Sequence, residues 1–217
     1  MKATLNLQGQ PIQVTSWGAV SGAVAGTFRV EVTVDLSGFQ ENLTPVLRSL
    51  LDRSDRCGER LSVQRARLDP SAPLGVLTAY VHYERFGCVK AFGKEIVKRL
   101  VAGDGVVEVQ LTPSVEGNTV LLAAQVRKID ADGSLGELLR SGSLGDSLRE
   151  KIAASIQSAI QKSTDLKSTL PAGIANVALI QSAQFADGGA GRLWVLIAGE
   201  LRLSPEQFRA VAKGLAR

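Results

Sequence analysis

The chain has 217 residues, of which 45% are hydrophobic, and its 25 Lys and Arg against 21 Asp and Glu give a formal net charge of +4. This length permits one large domain or two small ones, with a sizeable core. Charges of both signs are interspersed, which excludes the concentrated basic footprint typical of a nucleic-acid partner. No apolar run reaches the roughly 18 residues of a membrane-spanning helix.

Strands are predicted for much of the N-terminal region. Residues 3–16 alternate between polar and apolar and predict a hairpin with its turn over Gln8–Pro11. The stretch Ser16–Gly26 is rich in small residues and fits either a loose strand or a loop. Strict alternation over Phe28–Leu36 predicts a strand with one buried face and one wet face.

An amphipathic helix is predicted over residues 38–52. Ser37 as N-cap and Gln40 at the third helical position would form a capping box. Pro45 lies inside the pattern, so it could either kink the helix or mark its start. The apolar stripe consists of Phe39, Leu43, Val46, Leu47, Leu50 and Leu51.

Further strands are predicted through the middle of the chain. Residues 89–101 fit either a strand or a helix. The clear strand patterns, each bounded by turn residues, lie at residues 59–69, 74–86, 105–112 and 118–129.

Two more helices are predicted after these strands. Gly133–Arg140 is echoed by Gly142–Arg149, and the glycine at position 142 favours a short first helix and a long second one that starts near Ser143. The stripe of the long helix has an apolar residue at every fourth position, namely Leu144, Leu148, Ile152, Ile156 and Ile160.

The C-terminal part predicts a closing hairpin over residues 176–186 and 192–203, then a helix over 204–217 capped by Ser204. No regular alternation of strands and helices appears. The element order therefore predicts an α+β fold, a highly curved antiparallel β-sheet wrapped around long amphipathic helices. We expect one domain over residues 1–203, followed by the capped helix 204–217, which is either an extra element or a join to a further segment.

Cys57 and Cys88 are the two cysteines of the chain. Both lie beside a glycine at a predicted strand end, where chains meet, which favours a disulfide over two reduced buried thiols. Because His82 is the only histidine, the chain lacks the four ligands of a structural zinc site, and no metal is predicted.

No catalytic constellation is predicted. A hydrolase mechanism would have to use His82, which alternation places beside Tyr80 and Glu84 on a polar strand face. The glycine-rich segments lack the Lys-Ser/Thr of a phosphate loop. We therefore expect a protein that is not an enzyme and that needs no cofactor.

A basic cluster surrounds Phe92 and Ile96. It could guide the protein to anionic lipid headgroups, or it could be an ordinary solvated face whose lysine stems cover apolar surface. Its members are Lys90, Lys94, Lys98 and Arg99.

The segment 143–203 resembles the end of a bactericidal/permeability-increasing-type domain of the tubular lipid-binding (TULIP) superfamily. The resemblance rests on the Ile- and Leu-rich helix, Leu170-Pro171, a glycine-rich turn, and the alternation from Leu193 to Ser204. The order of the strand Phe28–Leu36 and the helix 38–52 is similar to the opening of that family. The resemblance implies a twisted sheet around helices, with lipid held in the seam between them.

From the stripes and this resemblance we expect non-enzymatic binding or transport of a lipid or other hydrophobic molecule. The stripes could equally be filled core, which would leave a scaffold protein that docks a partner or an anionic membrane surface. The predicted lipid-binding residues are Leu43, Leu47, Leu50, Leu148, Ile152, Ile156, Val195 and Ile197.

The cellular location follows from the expected disulfide and the resemblance together. We expect a periplasmic or other cell-envelope protein, or a secreted one, with any signal or anchor outside this sequence.

Overall fold

The computed structural model describes residues 1–7, 9–24, 27–91, 94–116, 119–140, 146, 150, 154 and 178–202. Within these ranges the chain forms strands of very different lengths and two continuous helices, and Asp146, Glu150 and Ala154 are also helical. In chain order the strands and the two continuous helices are β1 (Lys2–Leu7), β2 (Gln10–Val24), β3 (Thr27–Asp35), α1 (Ser37–Leu51), β4 (Arg53–Ser54), β5 (Gly58–Ser71), β6 (Leu74–Ala91), β7 (Lys94–Glu116), β8 (Thr119–Ala131), α2 (Gly133–Arg140), β9 (Ala178–Asp187) and β10 (Leu193–Arg202).

The strands form two five-stranded sheets rather than one. Sheet 1 has the order β1-β2-β3-β10-β9, and sheet 2 has the order β4-β5-β6-β7-β8. Every strand pair is antiparallel, which confirms that part of the predicted fold class. Bulges interrupt the register in both sheets, and each bulge increases the local twist and bends its strand.

The predicted hairpins and the helix over residues 38–52 are confirmed. The ambiguous residues 89–101 are strand wherever the structure describes them, and α2 is the predicted short helix. Most of the long helix expected from Ser143, and all of the helix 204–217, lie outside the described residues. Within the described ranges the longest helix is α1, and none is long and apolar enough to cross a bilayer.

The predicted capping box of α1 is wrong. Ser37 is already helical, Leu36 is the N-cap residue, and that residue offers no side-chain hydrogen bond. Instead the carboxylate of Asp35 accepts hydrogen bonds from the backbone N–H and the hydroxyl of Ser37. Partial burial acts to raise the pKa of Asp35, but the hydrogen bonds from Ser37, together with the charge of Arg192 and the indole of Trp194, hold the pKa below its usual value.

A polar row on α1 replaces a strand at the edge of sheet 2. Its members recur at every fourth position, so they lie above one another on the helix. β4 pairs with β5 only at Arg60 and Leu61, so on the side opposite β6 the following residues of β5 have no strand partner within the described residues. The row supplies partners there, and consists of Gln40, Thr44, Arg48 and, just past the helix end, Asp52.

The contacts of this row run along β5 in order. Gln40 Nε2 donates to Leu68 O at 2.7 Å, and Thr44 Oγ1 accepts from Ala66 N at 2.9 Å. Further along, the guanidinium of Arg48 donates to the carbonyls of Val63 and Gln64 at 2.7 Å each, and Val63 N donates to the Asp52 carboxylate at 2.7 Å. Because buried backbone groups need partners, the row fixes both the position and the rotation of α1.

Gln40 also reaches sheet 1. Its Nε2 donates to Gly191 O at 2.9 Å, and its Oε1 accepts from Leu193 N at 2.9 Å. One side chain therefore joins α1, the edge of β5 and the start of β10.

The apolar sides of α1 pack between the sheets. Leu43, Leu47 and Leu51 lie in the main core, and Val46, at the other edge of the apolar stripe, packs against Ile12 and Val14 of β2. Burial of each of these side chains stabilises the fold by roughly 1.5–3 kcal/mol. The other buried members of the main core are Val63, Leu68, Leu77, Ala79, Val81, Val107, Val109, Leu111, Phe185 and Leu193.

A second contact joins the sheets at one end. Phe185 of β9 is 3% exposed, and its N–H donates to Pro73 O, in the β5–β6 turn, at 3.0 Å. A Cβ at Gly75 would lie 3.2 Å from the Phe185 ring, so the ring sits directly on the start of β6.

Gln40→Leu is expected to lower the free energy of unfolding by about 2–3 kcal/mol, because it leaves three backbone groups without their partner. Urea denaturation measures the change. Glu41→Leu, on the exposed neighbouring residue, is the control and should shift stability by less than about 0.5 kcal/mol. Equal effects of the two variants would contradict the role given to Gln40.

Gly38→Ala is expected to destabilise the protein by about 1–3 kcal/mol, although alanine is the better helix former by about 1 kcal/mol. A Cβ at Gly38 would lie only 2.2 Å from Gln13 O, so the helix start would have to move away from β2. Thermal unfolding tests this against Glu41→Ala in the same helix. A stabilised Gly38→Ala variant would show that the approach to β2 is not tight.

Candidate functional site

The inner face of sheet 1, meaning the face toward α1, is apolar along successive rungs of partnered residues. No charged residue occurs in these rungs, because the charged residues of β3 alternate to the outer face. Across β2, β3, β10 and β9 the rungs are Ser16–Val34–Val195–Phe185, Gly18–Val32–Ile197–Ala183, Val20–Val30–Gly199–Ile180 and Ala23–Phe28–Leu201–Ala178.

The core formed by the described residues covers one end of this face. Val195 and Phe185, in the first rung, pack in the main core beneath α1. Val32 and Ile197, in the second rung, are half-buried and lie outside the described core clusters. Val20, in the third rung, is 55% exposed. An apolar sheet face thus extends past the helix that covers its first rung.

The predicted lipid-binding residues fall into three groups. Leu43 and Leu47 are 2% and 6% exposed and pack in the filled core, where Leu50 is a half-buried neighbour. Val195 and Ile197 are adjacent on the inner face of sheet 1. The remaining three, Leu148, Ile152 and Ile156, lie outside the described residues.

A two-stranded arm, comprising Gly87–Ala91 of β6 and Lys94–Leu100 of β7, extends beyond sheet 2. The pairing of β5 with β6 ends at Gly58 and Phe86, and the pairing of β7 with β8 ends at Gly105 and Ala131. Within the arm only β6 and β7 pair with each other.

The arm has two different faces. Val89 and Ile96 are direct cross-strand partners on one face, and Leu100 lies there over Gly87. Alternation puts Lys94 and Lys98 on this side, which we call the apolar face of the arm. The opposite side, which we call the paired face, comprises Cys88, Lys90, Glu95, Val97 and Arg99.

The predicted basic cluster is therefore divided between the two faces. Lys94 and Lys98 accompany the exposed aliphatic side chains. On the paired face Lys90 is the cross-strand partner of Glu95, and Arg99 Nη1 lies 3.2 Å from the Glu84 carboxylate. Phe92, around which the cluster was expected, lies outside the described residues.

The predicted disulfide is confirmed. Cys57 and Cys88 are bonded, with their Cα atoms 5.7 Å apart, and the bond ties the base of the arm to the residues that precede β5. Glu95 lies close to both sulfur atoms. The sulfurs are bonded to each other rather than free thiolates, so this group lacks the ligands of a zinc site.

His82 lies in a polar cluster on the outer face of sheet 2. Its Nδ1 is 2.8 Å from the Asp104 carboxylate, which also accepts a hydrogen bond from Gln64 Nε2 at 3.0 Å. The side chains of His82 and Asp104 are 36% and 70% exposed, so water reaches this pair freely. The depression beside them, lined in part by Gln64, Tyr80 and Asp104, is open to solvent.

Comparison with solved structures finds a distant likeness of fold. No protein-family model and no curated protein sequence matches the chain. The crystal structure of lipopolysaccharide binding protein is similar with a TM-score of 0.39 and 8% sequence identity. That similarity covers 85% of this chain but only 39% of that chain, so this chain spans less than half of that protein. The likeness transfers no residue role and no ligand.

The sequence did not predict several residues that the structure brings together on the two candidate surfaces. Val30 and Val32 lie beside Ile197 on the inner face, and the strict alternation over Phe28–Leu36 was the signal for them. Val89 and Leu100 belong with Ile96 on the arm. No sequence signal separated them from core residues, because their exposure depends on where the neighbouring strands end.

Replacing the disulfide by Cys57→Ser/Cys88→Ser is expected to lower the free energy of unfolding by about 3 kcal/mol, because the bond closes a long loop in the unfolded chain. The bond itself is checked by titrating thiols in denaturant. No thiol should react before reduction, and both cysteines should react after it. Reactive thiols in the unreduced protein would contradict the bond.

Proposed function

We propose that the protein binds a lipid or another elongated apolar molecule on the inner face of sheet 1, without catalysing a reaction on it. The observation that supports this is the uncharged series of rungs that continues past α1. An apolar surface of this kind needs a cover, because apolar area left in water is unfavourable.

We propose that binding is driven by the removal of the ligand's apolar surface from water. Each buried methylene of an acyl chain contributes roughly 0.8 kcal/mol, so a long chain binds without specific polar contacts. The stripe with Leu148, Ile152 and Ile156, which the sequence predicts to be helical, would form the opposite wall in this proposal. Ile197 and Val32 would then contact the ligand directly.

We also propose a cellular compartment for the protein. A bonded Cys57–Cys88 pair persists in oxidising compartments, so we place the protein in the cell envelope or outside the cell. Binding there would keep an apolar molecule in solution, and transport between surfaces is one use of such binding. The exposed His82–Asp104 pair has no role in the proposal.

The test is native mass spectrometry of freshly purified protein, followed by organic extraction of anything bound. We expect a discrete added mass that resolves into a lipid or fatty acid. Val30→Trp, which places a large ring beside Val20 and Gly199, should abolish the added mass. This substitution fills the proposed site with a bulky side chain and adds no charge.

The matched control is Glu31→Trp, one residue along β3 and on the outer face, which should retain the ligand. Circular dichroism checks that both variants fold. A wild-type protein that stays free of ligand after incubation with mixed lipids would overturn the proposal, and so would ligand retained at full occupancy by folded Val30→Trp.

A further inference from the structure

We propose that the apolar face of the arm docks on the surface of an anionic phospholipid bilayer. This site is separate from the inner face of sheet 1, and it does not depend on the function proposed for that face. Three observations support it: the arm extends beyond the neighbouring strands of sheet 2, its aliphatic side chains are exposed, and its charges are divided between its two faces.

The arm is a two-stranded ribbon that extends past the neighbouring strands of sheet 2. Among the described residues no further strand pairs with its two strands, because the pairing of β5 with β6 ends at Phe86 and the pairing of β8 with β7 ends at Gly105. An isolated two-stranded ribbon is only marginally stable in water. The Cys57–Cys88 bond at its base offsets this by fixing the arm to the rest of sheet 2.

The apolar face exposes large aliphatic side chains where the core has already ended. Val89, Ile96 and Leu100 are 65%, 55% and 57% exposed. On β6, Val89 continues the same alternation that places Val81 and Tyr83 in the protein interior. Contiguous exposed aliphatic side chains of this kind mark interaction surfaces.

The charges on this face select an anionic partner. Lys94 and Lys98 flank the Val89–Ile96 pair, and no acidic residue lies on this face within the described residues of the arm. The acidic residue of the arm, Glu95, lies on the paired face, 3.9 Å from the Arg56 guanidinium. Lysines beside aliphatic residues suit a bilayer, since the ammonium groups reach phosphates while the aliphatic groups enter the acyl boundary.

The paired face has the opposite character. Arg99 is held by Glu84, the sulfurs of the disulfide occupy the base, and Lys90 has Glu95 across from it. The two faces carry equal numbers of basic residues, which allows a test at constant net charge. Removing the two lysines of the apolar face should weaken binding, whereas removing Lys90 and Arg99 should not.

The experiment is cosedimentation of the full chain with vesicles of phosphatidylcholine alone or mixed with phosphatidylglycerol, at low salt. Wild type should bind the anionic vesicles only. Lys94→Gln/Lys98→Gln should weaken binding about 30-fold, since each lysine near an anionic surface contributes about fivefold. Lys90→Gln/Arg99→Gln should stay within about threefold of wild type, and Ile96→Ser should also lose binding.

Each alternative outcome is decisive. Equal loss in both double variants would mean that net charge alone drives binding, and it would overturn the face assignment. Failure of wild type to bind anionic vesicles would overturn the docking proposal. Concentration-dependent dimerisation that Ile96→Ser abolishes, without vesicle binding, would identify a second copy as the occupant. Val30→Trp should bind vesicles like wild type, which separates this test from that of the inner face.

Discussion

The fold depends on how α1 completes the edge of sheet 2. The polar row of α1 gives hydrogen-bond partners to the backbone of β5 along the edge that faces away from β6. Its members are Gln40, Thr44, Arg48 and Asp52. An exposed strand edge is otherwise a site of aggregation. A rotation of the helix by one residue would break every one of these contacts. The polar row therefore decides which leucines of α1 enter the main core and which side faces β2.

Both candidate surfaces arise because strands continue after their cover ends. On sheet 1 the apolar alternation of β3 and β10 runs on past α1, and on sheet 2 β6 and β7 run on past β5 and β8. In each case residues with the pattern of core positions become accessible. Neither surface requires an unusual residue, only a difference in length between neighbouring elements.

Local patterns in the sequence were enough to predict the helix α1, the antiparallel pairing and the disulfide. The start of α1 was predicted wrongly because the Asp35 carboxylate, upstream of the helix, accepts a hydrogen bond from the Ser37 N–H, and Ser37 is the first helical residue instead of the cap. Lys90, Lys94 and Lys98 looked like one cluster, yet the chain reverses between Ala91 and Lys94, which places Lys90 on the other face. The split into two sheets depends on the distant pairing of β3 with β10, which no local pattern encodes.

The Phe185–Pro73 contact holds the two sheets together at one end. It joins β9 to the β5–β6 turn with a backbone hydrogen bond and a buried ring, and it lies at the end where Gln40 also links both sheets. We therefore expect any relative motion of the sheets to be smallest at this end and larger toward the rung that contains Phe28 and Leu201. A guest on the inner face would enter and leave from that far rung, sliding lengthwise along the strands.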